Sequence, residues 1–272
     1  MTSLADVGEL GLLGELERRG LASGIEHDAT VVEGLVVTQD LLVEGVHFRF
    51  DLLDWPDLGA RAAAVNVSDL AASGAEPLAL LVSLGAPAET KLNDVIALYE
   101  GLNSLGVPVR GGDTSRAEGV VLSVTALGRS ERVPGRAGAQ AGDHVVVTGP
   151  LGAAGAAFRD GSLPAVPVRI DEGKRLAAVA TALLDISDGL ARDAAHIAAR
   201  SGVRLEIELE RVPLAPGAEL GDLGFGEDYE LLATTPDPLD FAVVGRVVAG
   251  EGVVALTLGG EPYSLAGWEH FR

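Results

Sequence analysis

Residues 60–73 read Ala60-Arg61-Ala62-Ala63-Ala64-Val65-Asn66-Val67-Ser68-Asp69-Leu70-Ala71-Ala72-Ser73, with Gly74 next and Pro77 shortly beyond. Small apolar residues at every turn and the Gly-then-Pro stop predict a helix. Asn66 and Asp69, three apart, share one of its faces. A carboxylate inside such an apolar run is costly to bury without a partner. Asp69 therefore calls for a cation or an exposed face.

The flanking segments make the fold class α/β. Upstream, Val31–Val37 is rich in β-branched residues and predicts a strand, and Leu41–Phe50 continues as a loop or second strand with Asp40 at the junction. Downstream, Leu78–Leu84 and Val120–Leu127 read as strands, with a helix over Thr90–Leu105 and a short strand, Val107–Arg110, between them. Near the start, leucines three apart within Gly8–Gly20 predict a short amphipathic helix packed as core. The stretch Glu131–Asp143 is rich in Gly, Pro and Arg, after which Val145–Thr148 opens a new strand. We expect two domains, residues 1–137 and 138–272. The second half predicts helices over Ala153–Phe158, Asp171–Leu184 and Gly189–Ser201, and strands over Val203–Leu209, Tyr229–Thr234 and Phe241–Val248. No internal repeat is visible.

Composition narrows the chemistry. With 272 residues, 47% of them hydrophobic, the chain can bury one large core or two modest ones. The absence of cysteine excludes disulfides, thiolate nucleophiles and sulfur-rich metal sites, and fits a reducing cytoplasm. Acidic residues interrupt the N-terminal leucines, unlike a secretory signal, and the longest apolar stretch, Leu78–Ala88, is too short to span a bilayer. A net charge of -20 is the wrong sign for a nucleic-acid surface. Only two lysines exist, Lys91 and Lys174, so an anionic substrate would be met by arginines, backbone amides or bound cations.

Five short segments combine aspartate with glycine or small hydroxyl residues: His27-Asp28, Thr38-Gln39-Asp40, Asn66-Val67-Ser68-Asp69, Gly111-Gly112-Asp113-Thr114 and Asp185-Ile186-Ser187-Asp188-Gly189. Any one of them alone is ordinary turn and capping chemistry. Together they suit magnesium, a hard ion that binds through a few carboxylates, phosphates and water. In the fourth, paired glycines after a strand would let the backbone approach a phosphate. No P-loop and no protein-kinase signature occurs, and the five histidines form no zinc or di-iron spacing. The run Gly149–Gly155 lacks the dinucleotide-binding spacing and reads as a tight strand-to-helix turn.

In order, these segments resemble the thiamine-monophosphate kinase family. The resemblance is carried by His27-Asp28-Ala29, Val37 to Phe48, Ala64 to Ala72, Gly111 to Thr114, Asp185 to Leu190, Gly226-Glu227-Asp228-Tyr229-Glu230-Leu231 and Gly267-Trp268-Glu269-His270-Phe271, over nearly the whole chain. The aspartate and glycine elements also resemble the wider superfamily of aminoimidazole ribonucleotide synthetase, selenophosphate synthetase and a hydrogenase-maturation protein. The segments around His47 and Trp268 point to the thiamine branch. The resemblance implies a two-domain aminoimidazole ribonucleotide synthetase-like fold of mixed sheets with flanking helices, the N-terminal sheet forming a homodimer barrel. It implies ATP-dependent phosphorylation of thiamine monophosphate in the cytoplasm, with several Mg2+ ions. By the same resemblance, Asp28, Thr38, Gln39, Asp40, Asp69, Asp113, Asp185 and Asp188 hold the metal, Gln39 through its backbone. Tyr99, Gly112, Asp113, Arg136 and Ser187 touch the nucleotide, and His47, Glu227 and Trp268 the thiamine phosphate. The chain departs from the family at Glu26-His27-Asp28, where Gly-Asp-Asp is usual. Alternatives are another ATP-dependent synthetase of the superfamily and a non-catalytic nucleotide-binding relative.

Overall fold

The computed structural model describes residues 3–23 and 27–268, so Glu26 and the Glu269-His270-Phe271 segment lie outside the described residues. The first helix, α1 (Leu4–Arg18), bends at Gly8, whose φ is 67°. Leu12, Leu13 and Leu16 are half-buried and, among the described residues, lie outside the three core clusters. The expected single strand over residues 31–37 is the turn of a hairpin. Strands β1 (Thr30–Val32) and β2 (Leu35–Val43) pair across Glu33-Gly34, both at positive φ. That two-residue turn matches the twist of the strands it joins.

Helix α2 (Trp55–Ala72) begins at Asp54, whose side chain accepts from the Asp57 amide at 3.0 Å, with Pro56 in the first turn, where its missing N–H is not needed. Thirteen of its eighteen residues are buried, so contacts on every side hold it. Strand β3 (Glu76–Ala86), helix α3 (Leu92–Leu102), and strands β4 (Val109–Arg116) and β5 (Val121–Arg129) complete the first unit. The sheet runs β1-β2-β5-β3-β4, with β3 and β4 parallel and the other neighbours antiparallel. Gly111-Gly112-Asp113-Thr114 lies inside β4 and not in a turn after it. Gly112 sits so close to Val82 that a Cβ would fall 1.7 Å from its carbonyl oxygen, which is why a glycine pair can occupy a strand here.

The second sheet has seven strands, in the order β12-β11-β8-β10-β6-β9-β7. In chain order its elements are β6 (His144–Val147), α4 (Ala153–Arg159), α5 (Ile170–Val179), β7 (Ala182–Asp185), α6 (Leu190–Ser201), β8 (Val203–Glu208), β9 (Leu231–Thr235), β10 (Ala242–Ala249), β11 (Val253–Leu258) and β12 (Glu261–Tyr263). Residues 171–184 are thus a helix and then a strand, and not one helix. Both faces of this sheet are covered. Val145, Val147 and Leu184 pack with Leu190, Ala194 and Ile197 of α6, whereas Val146 and Leu183 pack with Leu176 and Ala177 of α5 and with Ala71 and Ala72 of α2. Burial on two faces explains the unbroken apolar run at 182–184. The same cluster shows α2 wedged between the two halves of the chain. No helix of the described residues is long and apolar enough to cross a membrane.

Candidate active site

The alternation of β2 sorts its residues by face. Thr38 and Asp40 point toward α2, whereas Gln39 points to the outer face, where its amide donates to the Ser123 hydroxyl at 2.9 Å. On α2, the Asn66 carboxamide oxygen accepts from the Asp40 amide at 3.2 Å and Asp69 accepts from the Thr38 hydroxyl. One turn of helix thus fastens two alternate positions of the strand. The Thr38 hydroxyl also meets the Asp28 carbonyl at 3.0 Å.

From the second half, Asp185 ends β7 and accepts from the Ser68 hydroxyl at 2.5 Å. Carboxylate oxygens of Asp28, Asp69 and Asp185 all lie within 4.8 Å of one another. These residues come from positions 28, 69 and 185, so the fold and not a local turn assembles them. The electrostatics show the cost. Burial, then Asp28, raises Asp40 to about 6, and burial, then Asp28, raises Asp185 to about 8. Burial together with Asp40, Asp185 and Asp28 pushes Asp69 well above the usual carboxylate range. Asp40, Asp69 and Asp185 resist ionisation side by side, and together with Asp28 they make a candidate site for cations.

Arg136 is the positive group at this cluster. Its Nη2 and Nε reach the Asp28 carboxylate at 2.5 and 3.1 Å, and its amide donates to His27 Nδ1 at 3.2 Å. Gly135 packs on that imidazole closely enough that a Cβ would lie 1.9 Å from Nδ1. With Nδ1 accepting a hydrogen bond, His27 is held here as a structural support for the Arg136 loop.

Asp185–Gly189 is the meeting point of three segments. The Glu227 amide donates to the Ser187 carbonyl at 2.8 Å, the Tyr229 amide to the Ile186 carbonyl at 2.8 Å, and the Trp268 amide to the Asp188 carbonyl at 3.0 Å. Glu227 and Tyr229 adopt positive φ, 58° and 52°. Gly226, at φ 85°, lies so close that a Cβ would be 2.4 Å from the Ser187 carbonyl oxygen. Asp188 meets Arg192 at 3.2 Å and groups with Asp193 and His196. Trp268 keeps 48% of its surface exposed.

The other expected residues lie elsewhere. Tyr99 of α3 lines a groove of about 360 Å3 with Val82, Gly111, Gly112, Asp113 and Thr114. Asp113 is exposed, in register with Ser83 of β3. His47 stands in the turn after β2, its Nδ1 accepting from the Val43 amide at 3.0 Å. Sequence reasoning assigned no role to Ser68, Asn66, Arg61, Asp193 or His196. For Ser68 and Asn66 a signal existed, since both neighbour Asp69 in the quoted helix. For Arg61, one of many arginines, none did.

The family described as "AIR synthase related protein, N-terminal domain" matches residues 26–130. The chain is 35% identical to the thiamine-monophosphate kinase of Aquifex aeolicus, over 98% of this chain and 99% of that one. It is 34% identical to that of Mycobacterium tuberculosis, over 99% and 93%. Among solved structures it is similar to AaThiL complexed with AMPPCP and TMP, with a TM-score of 0.89 and 34% identity over 99% of both chains. Its fold is also that of the hydrogenase maturation protein HypE in complex with ATP, with a TM-score of 0.70 at 18% identity over 96% and 94%.

Proposed function

The chain belongs to the thiamine-monophosphate kinase family, and we propose that it transfers the γ-phosphoryl group of ATP to the phosphate of thiamine monophosphate, giving thiamine diphosphate and ADP. The observation that carries this reading is the convergence of Asp28, Asp69 and Asp185, with Asp40 beside them, on one buried point.

The donor set fits magnesium. It is all oxygen, multiply anionic, and too crowded to ionise unaided. Asp28, Asp40, Asp69 and Asp185 would hold the ions, with Thr38, the Gln39 backbone, Asp113 and Asp188 as further ligands. When bound, magnesium supplies charge neutralisation and alignment of the phosphate oxygens.

The remaining steps belong to the chain's own residues. Gly112 of β4 and Tyr99, which line one groove, would meet the nucleotide, and Ser187 would touch it as well. Arg136, whose guanidinium rests on Asp28, presents a permanent cation to the phosphates. Thiamine carries a fixed positive ring, which the Glu227 carboxylate and the Trp268 ring suit, and we assign His47 to the same substrate. The acceptor is already an anionic phosphate oxygen, so no strong general base is required and the protein's work is positioning.

The reading extends to a homodimer in the cytoplasm. The outer face of the first sheet leaves Val32, Leu41 and Leu81 exposed, apolar side chains that a second copy would cover. The test is to follow ADP and thiamine diphosphate with magnesium and ATP, with and without thiamine monophosphate. Stoichiometric formation of both, only with all three present, is expected. ADP release indifferent to thiamine monophosphate would reject the assignment.

A further inference from the structure

Arg61 is an arginine inside the most buried helix of the molecule, with its side chain 6% exposed. Its Nη2 donates to Glu227 Oε2 at 2.6 Å and its Nη1 to the Pro164 carbonyl at 3.3 Å. Burying a guanidinium this deeply is unfavourable unless its partners are fixed. One side chain of the first half therefore ties down two separate segments of the second, around residues 164 and 227. The Glu227 side chain keeps 27% of its surface exposed, so the carboxylate is held from behind and still open in front.

The backbone adds to the argument. Glu227 and Tyr229 both have left-handed φ, which non-glycine residues hold only where their surroundings over-determine it. Burial raises the Glu227 carboxyl and Arg61 opposes that rise, so the ion pair favours the charged form of a mostly buried acid. The Glu227 and Tyr229 amides donate to the Ser187 and Ile186 carbonyls, just after Asp185, so this segment adjoins the acidic cluster. Arg61 also stands seven residues before Ser68, two turns along the helix side that meets Asp185.

We propose that Arg61 is a positioning residue for the acceptor substrate: it aims the Glu227 carboxylate at the positively charged ring of thiamine monophosphate. The inference rests on the kinase reading above, in which Glu227 contacts that substrate. Arg61 itself touches neither substrate. Its loss should therefore weaken acceptor binding while leaving the nucleotide side intact.

The experiment is steady-state kinetics on full-length wild type, Arg61→Met, Arg61→Lys, Glu227→Gln and the Arg61→Met/Glu227→Gln double variant, with thermal melts to confirm folding. Arg61→Met should raise KM for thiamine monophosphate roughly ten- to a hundredfold, with KM for ATP within about twofold. Arg61→Lys should fall between Met and wild type, because lysine keeps the charge but not the two-pronged geometry. The double variant should be no worse than the worse single one, as expected of two groups acting as a unit. If Arg61→Met fails to fold, the split between the two KM values must still appear in Arg61→Lys. Unchanged acceptor KM in a folded Arg61 variant, equal losses for both substrates, or additive losses in the double variant would overturn the inference alone. A wild type that makes no thiamine diphosphate would overturn the kinase reading and this inference with it.

Discussion

At the residue scale, the site is defined by carboxylates that the fold forces together against their own repulsion. Asp185, raised to about 8, binds a proton in the folded, metal-free protein that the unfolded chain releases near its ordinary value of 3.8. The folded state thus holds more protons across this window, and stability falls as pH rises toward 8. His196 works the other way. Burial, then Arg136, lowers it to about 4, so it favours the folded state above its ordinary 6.5 and that contribution is lost as pH falls through 4. Between pH 6.5 and 8 the carboxylates dominate. The melting temperature of EDTA-treated protein should drop over that range, and saturating magnesium should flatten the slope; a flat EDTA profile would remove the crowded cluster. Asp69→Asn or Asp40→Asn should lower kcat on the order of a hundredfold or more in a folded protein. Asp69→Asn should also raise the metal-free melting temperature at pH 8. A variant with wild-type turnover would take that residue out of the site.

At the element scale, α2 is the part on which both sheets and the site depend. It passes α3 with backbones almost touching, for a Cβ on Gly59 would lie 2.0 Å from the Leu98 carbonyl oxygen and one on Gly101 2.0 Å from that of Pro56. Gly59→Ala or Gly101→Ala must push the helices apart, costing about 1–3 kcal/mol or more by overpacking, measurable as a shifted urea midpoint. An unshifted midpoint would mean the helices do not pack this closely. The quoted helix and the strands around it were legible because small apolar spacing and β-branched runs carry their own signal. Its burial on every side was not, so Ser68, Asn66 and Arg61 received no role. β7 was misread because Ala182-Leu183-Leu184 is as helix-like as strand-like, and only its two covered faces decide between them. Gly111 to Thr114 read as a turn because glycine pairs usually are turns, whereas here the tight contact with Val82 demands them in a strand. β11 and the edge strand β12, short pieces set off by Gly250, Gly252, Gly259 and Gly260, were not predicted, although Val253–Leu258 is apolar.

At the scale of the whole molecule, the two sheets meet at α2, and the acidic site lies where residues 28, 40 and 69 of one half face residue 185 of the other. The aspartate segments were legible one by one; that four of them converge followed only from a resemblance, since no local rule relates positions so far apart. The outer face of the first sheet exposes Leu41 and Leu81 beside Gln39, and Leu41→Glu with Leu81→Glu should convert a dimer to a monomer in light scattering while the fold of each protomer persists. A wild-type monomer would refute that assembly. The central claim is that this cluster holds the cations on which transfer from ATP to thiamine monophosphate depends. The most direct measurement follows γ-labelled ATP in wild type and in folded Asp69→Asn, with magnesium present and with EDTA. We predict label in thiamine diphosphate, one for each ADP, in wild type with magnesium alone. Label transfer at the wild-type rate by Asp69→Asn, or ADP formed without labelled thiamine diphosphate, would contradict it.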